Sequence, residues 1–126
     1  MDINELRNKM ESTSDIVDPN RLDKLLDQSI ANAKDRIVEP MGSTYNLMIA
    51  MEELGELTQA ISKYIRSDKE HNENARYKVI EEYADVYIML HYIEKICDID
   101  FKDVAKAINV KLDRLNSRLD DEDIDR

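Results

Sequence analysis

Val79-Ile80-Glu81-Glu82-Tyr83-Ala84-Asp85-Val86-Tyr87-Ile88-Met89-Leu90 is the most apolar stretch of the chain, and three carboxylates lie inside it. The run contains no Gly or Pro. Its apolar residues fall on more than one face of a 3.6-residue period, which predicts a helix buried on several sides. A carboxylate in such surroundings has to be protonated, paired with a cation or bound to a metal.

A second acidic motif stands upstream, in Met51-Glu52-Glu53-Leu54-Gly55-Glu56-Leu57. Residues three and four apart share a helix face, so each motif turns at least two carboxylates the same way. Taken alone, either motif is more often a solvated acidic face. Their register argues otherwise. A symmetric antiparallel hairpin turning near Lys69 sets Glu53 opposite Asp85 and Glu56 opposite Glu82. Four acids then meet between helices packed about 8–10 Å apart, close enough to share a cation. Gly55 and Ala84 fall at the same level and are expected to leave room there. A second hairpin turning near Asp98 sets Lys111 toward Asp85 and Arg114 toward Glu82, with Lys78 opposite Arg118 one turn further on. Salt bridging alone would also explain those bases.

The rest of the chain reads as helices. With only two Gly and two Pro among 126 residues, it lacks the turn residues that strand-rich folds need. Residues 3–11 suit a short helix or a loose arm, with Ile3, Leu6 and Met10 on one side. Residues 12–17 read as a connector. Asp18 as N-cap and Pro19 at the first helical position open the next helix. Its apolar positions are Leu22, Leu25, Leu26, Ile30, Ala33 and Ile37, and Pro40 and Gly42 end it. A third helix covers about 43–67 with the stripe Leu47, Met51, Leu54, Thr58, Ile61 and Ile65. A polar loop fills 67–75, the apolar helix 75–97 follows, and a last helix runs 101–119. Residues 1–17 are thus an N-terminal arm, 18–119 the helical domain, and 120–126 an acidic tail expected to be disordered. The expected fold is all-α: an antiparallel bundle of about four to five helices that forms oligomers.

The formal charge of −10, from 28 acidic and 18 basic residues, disfavours a nucleic-acid partner, which calls for a basic footprint. The single cysteine, Cys97, precludes an internal disulfide and reads as a buried small hydrophobe. Neither a signal-peptide pattern nor a membrane-length apolar run is present. A cytoplasmic protein without a membrane partner is expected. Carboxylate-only ligand sets suit Mg²⁺, with Mn²⁺ as a substitute. His71 and His91 do not follow an acid at three residues, as a di-iron bundle requires.

At these motifs the chain resembles the MazG-like, all-α nucleotide pyrophosphohydrolases. The quoted acidic pair carries the resemblance, together with Asn109-Val110-Lys111-Leu112-Asp113-Arg114-Leu115-Asn116-Ser117-Arg118, over roughly residues 45–119. The resemblance implies Mg²⁺-dependent hydrolysis of nucleoside or deoxynucleoside triphosphates to monophosphate and pyrophosphate by a homodimer or homotetramer. Carried over, it makes Glu53, Glu56, Glu82 and Asp85 the metal ligands. Glu52 supports the catalytic site, Lys78, Lys111 and Arg114 contact phosphates, and Asn46 is a candidate for the base, as is Tyr45. Either Glu52 or Glu81 takes the proton of the attacking water. Tyr83 and Tyr87 are expected in the core. Two alternatives stand beside this reading: a specialised dUTP/dCTP or phosphoribosyl-ATP pyrophosphohydrolase, and a non-catalytic acidic interaction protein whose carboxylates are exposed and replaceable.

Overall fold

A computed structural model of the chain describes residues 2–12, 18–38, 42–70 and 72–124. Five helices follow one another: α1 (Ile3–Ser12), α2 (Pro19–Val38), α3 (Gly42–Arg66), α4 (Asn72–Ile96) and α5 (Phe101–Ile124). No strand occurs among the described residues, as the shortage of turn residues implies. The residues pack as two compact units, Met1–Ile93 and Glu94–Arg126.

In the first unit the helices begin where side chains can satisfy their free N–H groups. The amide of Asn4 donates to Asp2 Oδ1 at 2.8 Å, which caps α1. The amide of Asn20 donates to Asp18 Oδ1 at 3.1 Å, which caps α2 as its Asp-Pro start predicts. Helix α2 packs on α3. The Tyr87 hydroxyl donates to Asp23 at 3.2 Å and ties α4 to α2. Arg7 ties α1 to α4 by donating to Asn74 Oδ1 at 2.8 Å, with its guanidinium 4.4 Å from the centre of the Tyr77 ring.

Several boundaries differ from those expected. Gly42 is the first residue of α3 and is buried, so it opens that helix instead of closing α2. Helix α4 begins at Asn72, three residues early, with Glu73 in its first turn where the helix dipole favours an acid. Helix α5 continues to Ile124, because nothing in Asp120–Asp123 breaks a helix. Residues 13–17 of the expected connector, Pro40, His71, and the side chains of Ala33 and Ile37 lie outside the described set.

The faces chosen for burial are a larger departure. The expected stripe of α3 is largely exposed, with Met51 at 71% and Ile65 at 75%. Its inner face carries Ala50, Glu53, Leu57 and Ala60, of which the two alanines are almost fully buried. Helix α4 is likewise buried on one side only: Glu82 and Val86 are its buried residues, while Tyr83 is 63% exposed. Tyr83 is therefore not a core residue, and Tyr87 is half-buried. Cys97 is exposed, because it sits in the turn that ends α4.

The second unit begins at Glu94, in the last turn of α4, and contains the turn that ends that helix. The amide of Ile99 donates to the Glu94 carbonyl at 2.8 Å and Asp98 has φ 53°, the left-handed residue of a Schellman ending. Asp100 then caps α5, its Oδ1 accepting from the Lys102 amide at 2.9 Å.

Candidate metal centre

Helix α3 and helix α4 run antiparallel across the short connection after Arg66, and their acidic motifs meet. One carboxylate oxygen from each of Glu53, Glu82 and Asp85 lies within 4.8 Å of the others. Glu56 and Glu82 line one cavity, and the Glu56 carboxyl interacts with those of Glu82 and Glu53, as does that of Glu53 with Asp85. The predicted facing pairs are therefore in contact. Such pairs of carboxylates can hydrogen-bond only when one of them carries a proton.

Electrostatics describe a site short of positive charge. Two ionised carboxylates at this spacing repel by roughly 3 kcal/mol at an effective dielectric of about 20. Burial, then the charges of Glu56, Asp85 and Glu82, push the Glu53 carboxyl up from 4.5 to about 7. Asp85 is raised by burial first and then by Glu82 and Glu81. Glu56 is exposed and is also raised, chiefly by its hydrogen bond with Glu82 and the charge of that residue. Lys78 offsets part of this. Its Nζ lies 3.0 Å from Glu82 Oε1 and 3.3 Å from Glu81 Oε2, and the hydrogen bond with Glu82 raises its pKa.

The donors fit a hard divalent cation. Glu82 is 3% exposed, and its Oε2 and the Oε2 of Glu53 are buried without a hydrogen-bond partner. Buried oxygens of that kind call for an unplaced proton, water or ion. Opposed oxygens around an octahedral Mg²⁺ stand roughly 4.2 Å apart, given metal–oxygen distances of about 2.1 Å. Three oxygens within 4.8 Å of one another span slightly more than such a shell, and side chains closing in by about half an ångström would bring them to it. An all-oxygen, all-anionic set is donor chemistry for hard divalent ions such as Mg²⁺, Mn²⁺ or Ca²⁺.

A family model, the MazG nucleotide pyrophosphohydrolase domain, matches residues 42–118. The chain belongs to this family. The match covers α3, α4 and most of α5, and leaves α1 and α2 outside it. No curated protein and no solved structure matches the chain. Membership supports nucleotide pyrophosphohydrolase activity in general, and MazG proteins generally depend on a divalent metal. Among the described residues no helix is long and apolar enough to cross a membrane.

Other expected site residues of this MazG domain fall in different places. Glu52 is exposed and outside the three-carboxylate cluster. Asn46 donates from Nδ2 to the Gly42 carbonyl at 2.6 Å, one turn back on its own helix. Lys111, Arg114 and Arg118 stand exposed on α5, in the second unit. Gly55 and Ala84 are exposed, and a Cβ added at Gly55 would meet nothing within 4 Å. They open to the outside and do not make room within the carboxylate cluster.

Sequence reasoning missed two residues. Gln59 and Lys63 line a cavity of about 210 Å³ together with Glu56, Ala60, Lys78 and Glu82. A signal existed. Glu56, Gln59, Ala60 and Lys63 follow the i, i+3, i+4, i+7 spacing of one helix face. A lysine near a helix end is, by sequence alone, indistinguishable from an ordinary solvated one.

Proposed function

We propose that this MazG domain hydrolyses nucleoside or deoxynucleoside triphosphates to the monophosphate and pyrophosphate with Mg²⁺. The observation that carries the proposal is the convergence of Glu53, Glu82 and Asp85, with buried oxygens lacking partners. These three residues would hold the cation, with Glu56 as the fourth ligand. A bound divalent ion supplies Lewis-acid polarisation and charge neutralisation at a phosphoryl oxygen.

The chain's own groups supply the remainder. Lys78, held between Glu81 and Glu82, keeps a cation at the edge of the site for a phosphate oxygen. Lys111 and Arg114 are proposed as further phosphate contacts on the strength of the sequence resemblance. Asn46 is proposed near the base on the same ground. The proton of the attacking water falls to a carboxylate outside the ligand set, Glu52 or Glu81. Glu52 is the freer of the two, since Lys78 already engages Glu81 Oε2. Self-association into a dimer or tetramer and a cytoplasmic setting belong to the same proposal.

The deciding experiment is a panel of NTPs and dNTPs with Mg²⁺, scored for pyrophosphate against orthophosphate. Pyrophosphate with the matching monophosphate is expected. Orthophosphate alone would mean release of the terminal phosphate and a different enzyme. A specialised dUTP/dCTP or phosphoribosyl-ATP hydrolase would show as one strongly preferred substrate.

A further inference from the structure

The cavity beside the carboxylate cluster has a composition that the metal site alone does not explain. Glu56 and Glu82 form its wall on the cluster side, and Gln59, Ala60, Lys63 and Lys78 form the rest. At about 210 Å³ it is smaller than the pockets of roughly 300–1,000 Å³ that enclose drug-sized ligands. Its size suits a phosphate or two.

Its polar groups point to an oxyanion carried with a cation. Lys78 is already bridged to Glu81 and Glu82. Lys63, in contrast, has no ion-pair or hydrogen-bond partner among the described residues, although it borders a site crowded with acids. The Gln59 side chain also has no partner there and offers two N–H donors. Glu82 lines the same cavity, is 3% exposed and keeps a buried oxygen without a partner. A bare anion would be repelled by Glu56 and Glu82, but one arriving with Mg²⁺ would satisfy both the acids and the lysine.

We propose that Lys63, assisted by Gln59, seats the pyrophosphate half of the substrate in this cavity. This rests on the pyrophosphohydrolase reading and names a specificity-determining contact within it. The nucleoside then lies outside the cavity, and discrimination between triphosphates and shorter phosphates comes from Lys63.

The test titrates magnesium pyrophosphate, and separately a nucleoside monophosphate, into wild type, Lys63→Gln and Lys63→Arg by calorimetry. Gln is close to Lys in helix propensity, so thermal melts of the exposed-site variants should match wild type. Losing a charge-assisted contact should weaken pyrophosphate binding at least roughly tenfold in Lys63→Gln. Lys63→Arg should restore most of it. Affinity for the monophosphate and for Mg²⁺ alone should not change. Undiminished pyrophosphate binding in Lys63→Gln, an equal loss for the monophosphate, or no pyrophosphate binding by wild type overturns the proposal. Failure of the parent reading looks different. Wild type would release no pyrophosphate from any nucleotide while pyrophosphate binding still depended on Lys63.

Discussion

Glu53 shows how little positive charge the α3–α4 pair supplies for its acids. Its carboxyl, ordinarily near 4.5, sits at about 7, so around neutrality it is poised between a proton and a cation. Between those two values the folded chain holds a proton that the unfolded chain has released. Stability of the ion-free protein therefore falls as pH rises through that window. Asp85 and Glu56, raised as well, act in the same direction. Thermal melts in EDTA should show a lower Tm at pH 8 than at pH 5. Mg²⁺ should raise Tm more at pH 8, where the ligands are ionised. Glu53→Gln should flatten the slope in EDTA. Glu53→Gln and Asp85→Asn should each reduce Mg²⁺-dependent turnover by more than about 100-fold, since several kcal/mol of charge stabilisation is lost. Both should keep the helical circular dichroism of the wild type. Near-full activity in either variant would remove these carboxylates from the mechanism.

Helices α3 and α4 matter at the next scale because their register brings the acids together. The short connection between Arg66 and Asn72 fixes that register, and Ala50 and Ala60 give the inner face of α3 its small buried side chains. Gly55 has no such role within the chain, because a Cβ there meets nothing within 4 Å. Gly55→Ala should then stabilise α3 by about 0.5–1 kcal/mol through the entropy of the unfolded chain. A higher denaturant midpoint with an unchanged m-value would record it. A lower midpoint would mean that something packs against Gly55 in the assembled protein. At the other end of α4, Asp98 takes the left-handed position that Gly normally fills, and the Ile99–Glu94 bond closes the helix around it.

At the scale of the molecule, the apolar surface left outside is the main feature. Met51, Leu54, Thr58, Ile61 and Ile65 recur at alternating spacings of three and four and are all exposed. That is the seam pattern of helices that pair with other helices. Exposed apolar faces of this extent mark interaction surfaces on soluble chains. Sedimentation of the purified protein is expected to give a species heavier than the 14.7 kDa chain. Ile61→Asp, placing a charge on the seam, should shift it toward monomer. A wild type that sediments as a monomer at tens of micromolar would refute self-association through this face.

The sequence by itself determined the helical class, the Asp18 and Pro19 start of α2, and the pairing of Glu53 with Asp85 and of Glu56 with Glu82. Periodicity, capping chemistry and a short connection are local properties, and a hairpin turns them directly into register. Only the tertiary structure decided which face of each helix goes inside. Periodicity located the stripe of α3 but not its partner, and the chain buries the alanine and Glu53 face instead. Lys63 and Gln59 were hidden for the same reason. Residues of their type are common on solvated helices, and what sets them apart is the cavity formed when α4 lies alongside.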